Sequence, residues 1–349
     1  MKKSITQCAR GLAGLSCDAL LVSDPVNVAY LSGFSRADGY LLVGRDESLT
    51  YFTNFLYEAQ AKQVKIWKVV ARSDIFAGIK AEVRRRGFTK IGFEAKHLPF
   101  LEYQKIKEDC NAHAVDFVPT KDFIENIRAI KKPDEIAAIR AAIATSLKAF
   151  EFIREIHAGC QTEKDLSIEI ERFLKLTGDN ELAFAPIVAG GKNSAYPHYE
   201  PQSVALIHNF FLIDLGSKHC EYCADLTRVF FNGKITRLVR KIYDIVKIAQ
   251  SAAIKKIRAG VTAKSVDIAA RSIIEKKGYG KYFGHGLGHG VGRAVHEAPY
   301  LNNRNEQILK SGMVVTVEPG IYLEGKFGIR IEDMVLVGEH GCIVLSDRS

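Results

Sequence analysis

Over residues 18–124 the chain alternates short apolar runs with amphipathic stretches. Segments 19–22, 40–43, 50–53, 67–70 and 90–93 have the length and composition of buried strands, and 54–63, 73–86 and 101–111 read as helices between them. Strands alternating with helices predict an α/β layer. Lys131-Lys132-Pro133-Asp134 breaks the rhythm, since the proline disfavours helix at Lys132 and Asp134 is suited to start the next one. A boundary near residue 125 therefore separates an N-terminal domain, 1–124, from a second domain, 125–349. In the second domain helices are expected at 134–157, 163–177, 236–259 and 263–277, with strands near 185–190, 204–215, 223–231, 313–323 and 328–337. Runs of helices and antiparallel strands within one segment predict an α+β fold. No tandem repeat at a solenoid period is present.

Composition narrows the class. With 47% hydrophobic and 26% charged residues in 349, the chain has enough apolar content for one large or two ordinary globular domains. Collagen-like, low-complexity and coiled-coil readings are excluded, and no run approaches the roughly 18 apolar residues of a membrane span. A net charge of +9 raises the question of an acidic partner. The excess is spread evenly: 18 Lys+Arg face 14 Asp+Glu in 1–124, and 31 face 26 in the remainder. Arg84-Arg85-Arg86, the densest cluster, reads as the solvated face of a helix, so neither nucleic acid nor membrane is expected as a partner. Seven cysteines form no dense framework, which fits a reducing cytoplasm. Lys2-Lys3 and Gly14-Leu15-Ser16-Cys17 faintly echo a lipoprotein leader. Gln7 and Arg10 interrupt the apolar stretch such a leader needs, so export is not expected.

The chemistry lies in acidic residues where strands should be buried. Asp214 ends the apolar run Phe210-Phe211-Leu212-Ile213, and Asp225 opens Leu226 to Phe231. A carboxylate at the end of a buried strand is costly unless paired or bound to a cation. Alone, the two aspartates would be explained by a cap or turn and an ion pair to Arg228. Glu318 and Glu332 change that, because they lie in successive strand-like segments symmetric about Gly325. A hairpin turning at Gly325 would set the two glutamates opposite each other, and like charges so placed are most economically kept together by a metal.

In Gly284-His285-Gly286-Leu287-Gly288-His289-Gly290-Val291-Gly292 every even position is glycine. Extended, that segment has one bare face for close backbone approach and directs His285 and His289 to the other. It lacks the Lys-Ser/Thr of a phosphate loop, and His296-Glu297 lacks the second histidine of a zinc-protease helix. Four carboxylates and one imidazole make an oxygen-rich set suited to a pair of divalent Mn, Co, Fe or Zn ions. Cys220-x-x-Cys223, a lone pair without a partner motif, is a weak competing signal.

Taken together, Ile213-Asp214-Leu215-Gly216, Ala224-Asp225-Leu226-Thr227-Arg228, His285-Gly-Leu-Gly-His289 with His296, Thr316-Val-Glu318-Pro-Gly-Ile-Tyr322 and Arg330-Ile-Glu332-Asp333 resemble the pita-bread metallopeptidases. That family includes methionine aminopeptidase, aminopeptidase P and prolidase. Ser23-Asp24-Pro25-Val26-Asn27 through Phe34, and the linker Ile127-Arg128-Ala129-Ile130-Lys131-Lys132-Pro133-Asp134, extend the resemblance to the first domain.

The resemblance implies a pita-bread catalytic domain behind a smaller creatinase-like α/β domain. It implies two divalent ions, manganese foremost and Co, Zn or Fe as alternatives. Asp214, Asp225, His289, Glu318 and Glu332 would be the ligands, with Asp225 and Glu332 bridging. His285, His198 and His296 would meet the substrate, and Thr227 and Arg330 would hold carboxylates in place. A metal-bridged hydroxide would attack the peptide carbonyl, Glu318 would carry the proton, and His296 or His198 would donate to the oxyanion.

The first domain, of about 125 residues, favours the aminopeptidase P and prolidase types over methionine aminopeptidase. The expected substrates are peptides with proline in second position, and a homodimer is implied. Arg304 is a candidate to capture a dipeptide's free carboxylate. The competing readings are a metal-independent creatinase-like hydrolase, a non-catalytic RNA- or protein-binding relative, and a metal store. Five intact ligands argue against the first two, and the third gives no reason for His198 and His296.

Overall fold

The computed structural model describes residues 2–34, 38–64, 68–111, 114–177, 181–206, 210–231 and 233–347. The chain forms two compact units, 1–128 and 129–349.

The first unit is built on a six-stranded mixed sheet in the order β4-β3-β2-β1-β5-β6. Its elements are α1 (Lys2–Gly14), β1 (Ala19–Val22), α2 (Pro25–Ser32), β2 (Tyr40–Gly44), β3 (Leu49–Thr53), α3 (Phe55–Ala61), β4 (Lys68–Ala71), α4 (Ile75–Arg86), β5 (Lys90–Glu94), α5 (Phe100–Asn111), β6 (Asp116–Thr120) and α6 (Phe123–Ala129). β1/β2, joined through α2, and the hairpin β2/β3 run antiparallel, while β1/β5, β3/β4 and β5/β6 run parallel. Trp67, where the fourth strand was expected to begin, lies outside the described residues. The stretch that faintly echoes a leader forms α1. Ile5, Cys8, Ala9 and Leu12, spaced i, i+3, i+4, i+7, are buried, and the interrupting Gln7 and Arg10 face solvent. The Arg84–Arg86 cluster ends α4, where Arg85 pairs with Glu82 and Arg86 with Asp46.

The second unit is antiparallel throughout its sheets, as an α+β fold requires. It contains α7 (Pro133–Ile156), α8 (Glu163–Thr177), β7 (Ile187–Gly190), β8 (Phe210–Leu215), β9 (Lys218–His219), β10 (Tyr222–Cys223), β11 (Leu226–Phe231), α9 (Arg237–Lys256), α10 (Ala263–Lys276), β12 (Gly288–Gly290), β13 (Glu297–Leu301), β14 (Val314–Val317), β15 (Gly320–Leu323), β16 (Phe327–Arg330), β17 (Asp333–Val337) and β18 (Cys342–Val344). Its sheets are β11-β8-β7, β13-β12-β14-β17-β18 and two short hairpins.

Apolar stripes on the helices position these sheets. Val239, Ile242 and Val246 of α9 and Val266, Ala270 and Ile274 of α10 bury against Val315, Val335 and Ile321 of the hairpin strands. Ile139, Ile143 and Phe150 of α7 and Leu166 and Ile170 of α8 bury against Ile213 and Leu226.

Three expectations need correction. Pro133 does not precede the helix but is its first residue, with Lys132 as the cap, because the first helical position has no use for an N–H. The strand expected over 204–215 begins at Phe210 among the described residues, and 207–209 lie outside them. Finally, 313–323 and 328–337 are not continuous strands. Each breaks once, at Glu318-Pro319 and at Ile331-Glu332, and Gln250 of α9 donates to the Val317 and Ile331 carbonyls left unpaired there (3.1 and 3.3 Å).

Candidate metal centre and substrate cavity

The two breaks lie opposite each other. β14/β17 pair Val317 with Asp333 and β15/β16 pair Gly320 with Arg330, so one register runs through both and sets Glu318 across from Glu332. The turn is at Gly325, whose φ of 70° is left-handed and suits glycine. On the neighbouring sheet, Asp214 of β8 pairs with Thr227 of β11, and Asp225 is two residues before Thr227. Cross-strand partners and i, i+2 neighbours share a face, so both aspartates project to the same side.

The glycine-rich segment brings the imidazole. A Cβ at Gly288 would lie 2.2 Å from the Thr316 carbonyl oxygen, and one at Gly290 would lie 2.2 Å from that of Ala298. Only glycine lets β12 thread between β13 and β14. Asp267 and Arg271 of α10 steady the approach: Asp267 accepts from Leu287 N (3.1 Å) and Arg271 donates to the carbonyls of Phe283 (2.9 Å) and His285 (2.7 Å). The bare face is thus packed against backbone at Gly286, Gly288 and Gly290, and at Gly292 against the Glu297 carboxylate.

Five side chains converge. His289 Nε2 lies 3.2 Å from Glu318 Oε1 and 3.6 Å from Asp225 Oδ2. Asp214, Asp225 and Glu332 form one group of potential ligand atoms within 4.8 Å of one another, and His289, Glu318 and Glu332 form another. His289 Nδ1 lies 3.1 Å from its neighbour's carbonyl, Gly290 O, to which it donates, so that Nε2 is the nitrogen turned toward the carboxylates. Arg330 links the carboxylates to the cavity wall. It donates to Asp214 Oδ2, to Thr227 Oγ1 (3.0 Å), to the Pro197 carbonyl (3.3 Å) and to the Tyr322 hydroxyl (2.9 Å). Thr227 in turn donates to Glu332 Oε2 (2.7 Å).

Charge balance in this cluster points to cations. Burial and the neighbouring carboxylates push Asp225 and Glu332 well above the ordinary carboxylate range. Burial also raises Asp214, with Arg330 opposing. Burial works against ionisation of Glu318 too, yet the hydrogen bond and charge of His289 bring it down to about 2. Two buried carboxylate oxygens, Asp214 Oδ1 and Glu332 Oε1, have no hydrogen-bond partner among the described residues. Hydrogen bonds normally satisfy such atoms, and a divalent cation is what this donor set fits.

A cavity of about 930 Å³ opens onto the five side chains. His198, His285 and His296 all line it. His296 stacks edge-on against His289 with ring centres 4.3 Å apart. His285 donates from Nδ1 to Gly286 O (2.7 Å), so its Nε2 accepts from the Tyr322 hydroxyl (3.1 Å). Arg304 is not among the lining residues. The Cys220-x-x-Cys223 pair belongs to the β9/β10 hairpin. Cys220 and Glu221 adopt positive φ at its turn, and Cys223 is buried with its thiol on the Arg293 carbonyl (3.6 Å).

Sequence reasoning assigned no role to Tyr322 or Tyr199. Tyr322 could have been suspected from its pairing across the hairpin with a glycine, Gly328, where a Cβ would meet the Tyr322 ring at 2.7 Å.

Comparisons with known proteins agree over the whole chain. The profile of Metallopeptidase family M24 matches residues 137–339, and that of the Creatinase/Prolidase N-terminal domain matches 5–130. The chain is 36% identical over 344 residues to the Xaa-Pro dipeptidase of Pyrococcus furiosus, covering 98% of this chain and 97% of that one. Among solved structures it resembles an Xaa-Pro dipeptidase from Bacillus anthracis, with a TM-score of 0.92, 32% identity and coverage of 100% and 98%. It also resembles an X-Pro aminopeptidase from Thermotoga maritima, with a TM-score of 0.88, 35% identity and coverage of 97% and 98%.

Proposed function

The chain belongs to metallopeptidase family M24, with a creatinase/prolidase-type N-terminal domain ahead of a pita-bread catalytic fold, and on that premise we propose that it hydrolyses Xaa-Pro peptide bonds. The observation that carries the reading is the pair of buried oxygens without a partner among the described residues, Asp214 Oδ1 and Glu332 Oε1, beside the His289 Nε2 that faces the same carboxylates. Asp214, Asp225, His289, Glu318 and Glu332 would hold two divalent cations, with manganese the first choice for so oxygen-rich a set. Bound there, the cations supply Lewis acidity, lowering the pKa of a coordinated water and polarising the scissile carbonyl.

The chain's own residues supply the rest. Glu318 accepts the proton of the attacking water and passes it to the leaving nitrogen. That proton lets the proline nitrogen leave as a neutral secondary amine. His296 and His198, both lining the cavity, donate to the oxyanion. His285, held by Tyr322, shapes the wall beside them. Arg330 and Thr227 keep Asp214 and Glu332 oriented. Residues 125–349 are the catalytic domain in this reading and 1–124 the accessory one. A homodimer and a cytoplasmic setting complete it, the latter supported by seven free cysteines.

Relatives of both specificities are similar to this chain, so the test uses both substrates. Manganese-loaded protein is assayed on Xaa-Pro dipeptides and on longer Xaa-Pro-Yaa peptides. Cleavage of the dipeptides alone marks a dipeptidase, and release of Xaa from the longer peptides marks an aminopeptidase P type. Cleavage of neither overturns the proposal.

A further inference from the structure

We propose that Glu163 is a positioning residue that fixes the loop carrying His198 and Tyr199 against the substrate cavity. The inference rests on the peptidase reading above.

Glu163 is the first residue of α8 and fully buried. The helix does not need it as a cap. Thr162 and Asp165 already form a reciprocal box, with Asp165 N donating to Thr162 Oγ1 (3.1 Å) and Thr162 N to Asp165 Oδ2 (2.9 Å). Among the described residues, every hydrogen bond to the Glu163 carboxylate comes instead from 190–199. Gly190 N donates to Oε1 (2.7 Å), Asn193 Nδ2 reaches both oxygens (3.1 and 3.3 Å), and the Tyr199 hydroxyl donates to Oε2 (2.7 Å). Asn193 also donates to the Tyr199 hydroxyl (2.9 Å), closing a ring of contacts. The donors are neutral, so this carboxylate is held by geometry rather than by a counter-charge, an expensive arrangement to bury unless its orientation matters.

The loop it holds is also the cavity wall. Pro197, His198, Tyr199 and Glu200 all line the cavity. Beyond them the clamp resumes, with Glu163 N donating to Val204 O and Lys164 N to Gln202 O, both at 3.1 Å. On the other side of His198, Arg330 donates to the Pro197 carbonyl and also to Asp214. His198 thus sits between two anchors. One is tied to the carboxylate cluster through Arg330, and the other to α8 through Tyr199 and Glu163. Burial, and then the Glu163 carboxylate, push the Tyr199 phenol above its ordinary value, so it remains a donor.

The test is a double-mutant cycle on metal-loaded full-length protein with an Xaa-Pro dipeptide. Glu163→Gln is expected to lower kcat about 10–100-fold with KM changed less than about 3-fold, and Tyr199→Phe, which deletes one hydroxyl, about 3–10-fold. In a His198→Ala background each loss shrinks below about 2-fold, because Glu163 acts through His198. Equal losses in both backgrounds, or full kcat in Tyr199→Phe, overturn the proposal.

Hydrogen exchange reads the positioning without substrate. Amides of 190–204 exchange at least about 10-fold faster in Glu163→Gln while those of β14 and β17 do not. Unchanged exchange in 190–204 overturns the positioning role even if the wild type cleaves nothing, whereas an inactive wild type with the expected exchange overturns only the peptidase reading.

Discussion

Each unit buries carboxylates, and the two sets are treated in opposite ways. In the first unit Glu94, 3% exposed, has both oxygens occupied: Oε2 accepts from the backbone of Ser23 (2.6 Å) and Asp24 (2.7 Å), and Oε1 from Asn27 Nδ2 (2.6 Å). In the second unit Asp214 and Glu332 each keep one buried oxygen with no partner among the described residues, and Asp225 lies among them. All are buried carboxylates. What separates architecture from a ligand site is whether the acceptor capacity is used up within the fold. Glu94 ties the start of α2 to the end of β5, whereas the carboxylates of the second unit are aligned by Thr227, Arg330 and the hairpin register and then left open on one side.

That contrast can be broken by substitution. The largest effect is expected at the open set. Glu318→Gln or Asp214→Asn should lower kcat on an Xaa-Pro dipeptide by at least about 10³-fold while the circular dichroism spectrum stays that of the wild type. Retained turnover in either variant would remove the distinction between the two sets.

A smaller and opposite effect is expected at the closed set. Glu94→Gln should leave turnover within a few-fold and destabilise the first unit by about 1–3 kcal/mol in denaturant unfolding, since a donor replaces one of two fully used acceptors. An inactive Glu94→Gln with unchanged stability would contradict its structural role.

The smallest effect depends on pH. The hydrogen bond from Arg85 outweighs burial and, with Lys68, lowers Glu82 from its ordinary 4.5 to about 2. A carboxylate depressed on folding stabilises the fold above its unfolded pKa, and that contribution is lost as pH falls through the folded value. The stability difference between wild type and Glu82→Gln should therefore shrink between about pH 5 and 2. Its size is about 1–2 kcal/mol at neutral pH, because the Lys68 and Arg85 side chains are half-exposed and screened. A difference that grows on acidification would reverse the assignment.

How much of this was legible in the sequence follows from the range over which each contact acts. The symmetry of Glu318 and Glu332 about Gly325 is a local property, and the register through both halves of the hairpin carries it intact. The alternating glycines forecast a bare face, and the structure fills it with the Thr316 and Ala298 carbonyls. The breaks at Glu318 and Ile331 were not legible, because they depend on Gln250, 67 and 81 residues away, to donate hydrogen bonds to the Val317 and Ile331 carbonyls. β12 was not among the expected strands because Gly288-His289-Gly290 offers no apolar alternation to detect. The links from Arg330 through Tyr322 to His285, and from Glu163 to Tyr199, join ordinary residues whose meeting only the tertiary fold creates.

The most direct test of the account is a titration of metal-free protein with Mn²⁺ while hydrolysis of an Xaa-Pro dipeptide is followed. Activity should be absent without metal, rise with added Mn²⁺ and reach its plateau at two equivalents per chain. Full activity in the metal-free protein, or none at any Mn²⁺ concentration, would contradict it.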